Sequence, residues 1–141
     1  EGYVFGAMGF AAHKNLKLPI LFICEDNNLS VLTTKEVRRS WELPNLASSL
    51  GIPSFEIADD PWTIMHYVSQ IGDNLPALIN VHVSRAVRHV GSKSDGAPEW
   101  ERLSMVKKEL CRIGLNAEVE KIEKQAAKKI NELWRKKMEA Y

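Results

Sequence analysis

The run Ile20-Leu21-Phe22-Ile23-Cys24 limits the possible folds of this chain more than any other stretch. It is apolar at every position, rich in β-branched and aromatic residues, preceded by Pro19 and followed at once by Glu25-Asp26-Asn27-Asn28. A strand with no polar face reads as buried on both sides, the mark of a parallel sheet covered by helices above and below. In such sheets ligands bind beyond the carboxyl ends of the strands. Four side chains with oxygen atoms stand at that point. They serve either as turn chemistry, because Asn and Asp tolerate left-handed backbone, or as ligands for a hard cation, a phosphate or both.

Two more runs read as strands: Ser54 to Ala58, which alternates, and Ala77 to Val83, which is apolar at nearly every position. Helical patterns precede and separate them. Glu1 to Asn15 carries Val4, Phe5, Met8, Ala11 and Ala12 at helical spacing, with Gly6 and Gly9 suited to close approach of a neighbour. Asn45 to Leu50 is a short helix ended by Gly51. Pro61 to Ile71 is a helix capped by Asp60, ended by Gly72 and striped by Trp62, Met65 and Val68 with Ile64 and Ile71. The order helix, strand, helix, strand, helix, strand predicts an α/β fold, a parallel sheet of about three strands with crossover helices. From Glu99 onward the character changes to two charged amphipathic helices. Trp100, Leu103, Val106 and Leu110 line the first; Val119, Ile122, Ala126, Ile130, Leu133 and Trp134 line the second. The expected division is residues 1–98, an α/β domain, and residues 99–141, a C-terminal helical extension packed on it.

Composition removes several function classes. The net charge of +1 provides no global field to recruit nucleic acid or an anionic membrane, and no apolar run reaches membrane-spanning length. No signal peptide is visible. Cys24 and Cys111 lie far apart without metal-ligand spacing, and read as reduced packing residues of a cytoplasmic protein. Asn28-Leu29-Ser30 matches a glycosylation pattern that nothing else in the sequence supports. His13 has no distinctive setting, His66 falls within a helix and His82 within a buried strand, so structural roles are expected for all three.

Two long polar loops remain, Asn28 to Pro44 and Arg85 to Pro98. Each follows a strand, so both emerge on one rim of the sheet, and loops of this length are commonly functional. The second holds Arg85, Arg88, His89, Gly91 and Lys93; cations with flexible backbone amides suit a phosphate. Together with the oxygen ligands after the first strand, the pair describes a metal–diphosphate site.

At these residues the chain resembles the alpha subunit of thiamine diphosphate-dependent 2-oxoacid dehydrogenases (pyruvate, branched-chain or acetoin). The resemblance rests on Glu1-Gly2, Gly9-Phe10-Ala11-Ala12, the stretch Leu18 to Asn27, and the Arg85 to Asp95 loop, and it spans essentially the whole chain. It implies part of a thiamine diphosphate-binding fold. It also implies magnesium ligated by the Asn27 side chain and the Leu29 carbonyl, and cofactor contacts from Glu1, Gly2, Asn27, Arg85 and His89. His89, on the cofactor diphosphate, is the catalytic candidate, and Arg85 steadies its loop.

The family's Gly-Asp-Gly element, with an Asp that ligates magnesium, is expected just upstream of Glu1, so the chain resembles the C-terminal half of such a subunit. The implied partners are the N-terminal half, a beta subunit in a heterotetramer that supplies the groups activating the cofactor, and an acyltransferase core. The connection Ala12 to Pro19 is two residues longer than is usual. Val90 stands where regulated relatives carry a phosphorylatable Ser, which removes kinase control at that position. Two alternatives stand beside this expectation. One is another thiamine diphosphate-dependent decarboxylase or transketolase-like enzyme; the other is a truncated, non-catalytic homologue acting as an interaction module.

Overall fold

In the computed structural model, residues 2–87, 95–97 and 100–140 are described. The chain divides into two compact units, 1–100 and 101–141. The first is α/β. Helix α1 (Gly2–Ala11) leads to β1 (Leu21–Asp26), then a small hairpin of β2 (Leu29–Ser30) and β3 (Thr33–Thr34), and helices α2 (Lys35–Arg38) and α3 (Leu43–Ser49). Strand β4 (Ser54–Ala58), helix α4 (Pro61–Ile71) and strand β5 (Ala77–His82) follow. The second unit is the helix pair α5 (Arg102–Arg112) and α6 (Asn116–Glu139).

The main sheet has three parallel strands in the order β1-β5-β4. Its register runs Leu21↔Ala77 to Asp26↔His82 on one side and Ser54↔Leu78 to Ala58↔His82 on the other. All three strands therefore end level, at Asp26, His82 and Ala58. The two faces of β5 feed two cores, because side chains alternate along a strand. Leu78 packs with Met8 of α1, Leu43 and Ala47 of α3, and Ile52. Ala77, Ile79 and Val81 pack with Ile57 of β4 and Ile71 of α4.

This arrangement reassigns the strand buried on both faces. The run at Ile20–Cys24 forms an edge strand whose Ile23 is 59% exposed. The doubly buried strand is β5, buried at every position from Ala77 to Val81. The first run is the more uniformly apolar, since Ala77–Val83 includes Asn80 and His82; only a central position supplies neighbours on every side.

Elsewhere the correspondence is uneven. Strand β4 and helix α4 occupy their expected spans. Asp60 Oδ2 accepts a hydrogen bond from Thr63 N at 2.8 Å, and Gly51 and Gly72 end their helices with φ of 75° and 49°. The inward residues of α4 are Ile64, Tyr67 and Ile71, while Trp62, Met65 and Val68 face outward. The helix carries two apolar stripes, and the sheet selects one.

Helix α1 stops at Ala11, and Gly6 and Gly9 face open space instead of a close neighbour. The polar segment 28–44 contains the β2–β3 hairpin and α2, and α3 begins at Leu43. His82 ends β5 half exposed, its Nε2 2.7 Å from Glu56 Oε1. Trp100 precedes α5, Leu103 is exposed, and the α6 stripe is exposed from Ile122 onward. Neither cysteine is in a disulfide; Cys24 packs beside the first core, and Cys111 is exposed on α5. Among the described residues no helix is long and apolar enough to cross a membrane.

Candidate functional site at the carboxyl rim of the sheet

The level ends of β1 and β5 bring two loops together. The Val83 N–H donates to the Asp26 carbonyl at 3.0 Å, which joins the strands at the rim. Beyond it, Asn27 Nδ2 donates to Asp95 Oδ2 at 2.9 Å, although 68 residues separate the two in sequence. Arg85 grips the same carboxylate with two prongs, Nε to Oδ2 at 2.5 Å and a terminal nitrogen to Oδ1 at 3.2 Å. Asp95 N donates back to the Arg85 carbonyl at 3.0 Å. The Asp95 side chain is only 3% exposed. The Arg85 guanidinium first, and the Asn27 amide after it, hold its carboxyl below the usual range against the opposing effect of burial.

Asp95 thereby fixes the orientation of the Asn27 amide. A carboxylate only accepts hydrogen bonds, so the nitrogen of Asn27 must face it and the oxygen must face elsewhere. That oxygen, Oδ1, stands 3.4 Å from the Leu29 N–H, a long contact on its free side.

The backbone around it is equally specified. Asn28 adopts φ of 62°, in the left-handed region that Asn tolerates, and its N–H donates to Asp26 Oδ1 at 2.8 Å. The Asn28 carbonyl accepts from Lys35 N at 3.1 Å, and Leu29 pairs with Thr34 in the hairpin that follows. The side-chain oxygen of Asn27 and the main-chain oxygen of Leu29 are the two oxygens of this loop expected to hold a metal.

Asp26 is anchored from behind. Arg39 reaches its Oδ2 at 3.2 Å, and both side chains are about nine-tenths buried. Burial pushes the Asp26 carboxyl upward, but the Asn28 N–H, then Arg39, Lys35 and Asn80, outweigh it and hold the group below its ordinary value. The Arg39 guanidinium also lies 4.6 Å from the centre of the Trp41 ring, which meets Phe5 edge-on at 5.3 Å. Asn80, on β5, is fully buried. Its amide lies near Asp26, yet neither its nitrogen nor its oxygen has a hydrogen-bond partner among the described residues.

Of the expected site residues, Asn27, Leu29 and Arg85 converge on this rim. Gly2 opens α1 and takes no part in the cluster's hydrogen bonds. Glu1 and His89 lie outside the described residues. The sequence reading overlooked Asp95, which organises the site; its signal was its place at the end of the basic loop. Arg39 was one of five charged residues in the loop 28–44, and only the folded chain shows that it supports Asp26. Oxygen donors of this kind suit a hard cation, but Asn27 and Leu29 supply two, fewer than the six positions magnesium fills. Among the described residues no group of three or more His, Cys, Asp or Glu could hold a metal.

The fold and rim define a class: an α/β protein with a polar site built on loops at the carboxyl ends of parallel strands. No protein-family model matches the chain, and no curated protein or solved structure matches it either.

Proposed function

We propose that the chain is the cofactor-anchoring part of a thiamine diphosphate- and magnesium-dependent 2-oxoacid dehydrogenase alpha subunit. The observation that carries this reading is the Asn27–Asp95–Arg85 bridge, which ties the loop after β1 to the loop after β5. Those are the loops whose residues resemble the family's magnesium and diphosphate segments. Asp95 orients the Asn27 amide so that its oxygen is available to a metal. Arg85 and Asp95, at the two ends of the second loop, are tied together by their ion pair, and a tether of this kind suits a loop that binds a diphosphate. The chain's oxygens fit magnesium in kind but leave most positions to diphosphate, water and groups beyond those described. When bound, thiamine diphosphate would supply the electron sink for decarboxylation of a 2-oxo acid. The beta subunit, the N-terminal half of the alpha subunit and the acyltransferase core belong to the same proposal, as does a cytoplasmic location.

The test uses the full alpha polypeptide containing this chain, copurified with its beta subunit, in an assay of 2-oxoacid-dependent acceptor reduction. Activity should require thiamine diphosphate and magnesium. Asn27→Ala should abolish it, whereas Asp95→Ala should raise the cofactor concentration needed for half-maximal activity by tenfold or more, an order-of-magnitude figure for a displaced second-layer contact. Titration calorimetry on the present chain alone should detect weak cofactor binding or none. Undiminished activity in Asn27→Ala, or activity without the cofactor, would refute the proposal.

A further inference from the structure

Neither α5 nor α6 contains a buried residue. Helices this polar owe most of their stability in water to packing of one face; α5 and α6 meet through half-buried Val106, Leu110 and Val119, and the rest of the α6 stripe is left open. On α6 the open face is a stripe of Val119, Ile122, Ala126, Ile130 and Leu133. All but Val119 are exposed, Ile122 by 64% and Ile130 by 65%. Met138 and Trp134 lie off to one side of it.

The spacing of the stripe identifies the partner. Its steps are three, four, four and three residues, the same read forwards and backwards from Ala126. A twofold interface brings residue i against residue j and j against i. In an antiparallel pair of α6 helices centred on Ala126, that rule sets Ala126 against its own mate, Ile122 against Ile130 and Val119 against Leu133. The smallest residue then sits at the crossing point, where the helices approach most closely.

Charge favours the same arrangement. The first half of α6 has Glu118, Glu120 and Glu123 against Lys121 and Lys124, one net negative charge. The second half has Glu132 and Glu139 against five cations, including Lys128, Lys129 and Lys136, three net positive charges. Antiparallel pairing sets unlike halves together, whereas parallel pairing would stack the positive halves. One pair is specific. Glu118 and Lys136 are eighteen residues apart, five helical turns, and so share one flank of the stripe. Like flanks face each other in an antiparallel twofold pair, and the two residues lie nearly equidistant from Ala126. Glu118 therefore meets Lys136 of the second copy, twice by symmetry. The five acidic residues interspersed along α6 argue against an anionic membrane as the occupant.

We propose that α6 is a homodimerisation helix, pairing antiparallel with α6 of a second copy of this chain through the stripe centred on Ala126. The interface is small, so the dissociation constant is on the order of 10–100 µM. Sedimentation equilibrium of the full chain from low to several hundred micromolar should show a reversible monomer–dimer equilibrium. Lys136→Glu should weaken the dimer at least fivefold, and Glu118→Lys combined with Lys136→Glu should restore it. Helicity by circular dichroism shows that each variant is folded. In a Cys111→Ser background, Ala126→Cys should give a disulfide-linked dimer under mild oxidation. Three results would overturn the proposal: a monomer at every concentration, a dimer indifferent to Lys136→Glu, or no cross-link at position 126. Binding of a monomeric chain to phosphatidylglycerol vesicles, lost in Ile130→Asp, would assign the stripe to a membrane and overturn it as well.

Discussion

Replacing Asn80 with Val should make the protein more stable. Asn80 is the only buried polar residue among those described, and on the central strand neither amide atom is in hydrogen-bond geometry with any of them, Asp26 being its polar neighbour. Burying an amide without partners costs roughly 1–3 kcal/mol in proteins. Val removes that penalty, and a β-branched residue in a central strand adds up to about 1 kcal/mol. Against this stands the help Asn80 gives to the charged form of Asp26, the smallest of the influences on that carboxyl. The Arg39–Asp26 ion pair, at 3.2 Å, persists without it. Cavity formation is not a factor, because Val is no smaller than Asn. The net expectation is a gain of about 1–2 kcal/mol, a rise in melting temperature of about 5–10 °C for a unit of this size. Urea unfolding followed by circular dichroism, with an unchanged m-value, is the direct measurement. A fall of 1 kcal/mol or more would refute the reasoning, since it would mean that the amide is satisfied in solution. A stabilised variant with impaired cofactor binding would explain why an amide stands at the base of the rim.

Two local perturbations test how the elements begin. Asp60→Ala removes the acceptor for both the Thr63 N–H, at 2.8 Å, and the Thr63 hydroxyl, at 2.7 Å, and should cost about 1 kcal/mol in thermal unfolding. In the second unit, the Glu101 carboxylate caps α5 by accepting from Leu103 N and Ser104 N, and bonds to Ser104 hold its pKa below the ordinary glutamate range. A depressed carboxyl contributes stability that is present above its unfolded value, about 4.3, and lost as pH falls through the lower folded value. Helicity in Glu101→Gln should therefore lose part of the acid sensitivity that the parent chain shows below about pH 4; identical acid titrations would refute the cap.

Much of the first unit was legible because its signals are local. Asp60-Pro61 starts a helix and Gly72 ends one through backbone chemistry that needs no distant neighbour, and α4 spans the expected residues. Strand β4 was equally plain from its alternation. The two apolar runs were legible as strands but not as to rank: Ile20–Cys24 is apolar throughout and Ala77–Val83 carries Asn80 and His82, yet the order β1-β5-β4 makes the first an edge and the second the centre. The stripe of α4 held at Ile64 and Ile71 and failed at Trp62, Met65 and Val68 for a related reason. Trp62, Met65 and Val68 are as apolar as Ile64, Tyr67 and Ile71, and the sheet decided which face turned inward.

The rim divides in the same way. The sequence alone determined that Glu25-Asp26-Asn27-Asn28 would stand at the end of a parallel strand and that a basic loop would leave the same edge, because strand polarity follows from the alternation of helix and strand. Only the tertiary structure decided that Asp95 would cross 68 residues of sequence to take the Asn27 amide nitrogen, and that Arg39 would hold Asp26 from behind. A hydrogen bond between distant residues depends on the register of the strands that carry them, and that register is a property of the packed sheet.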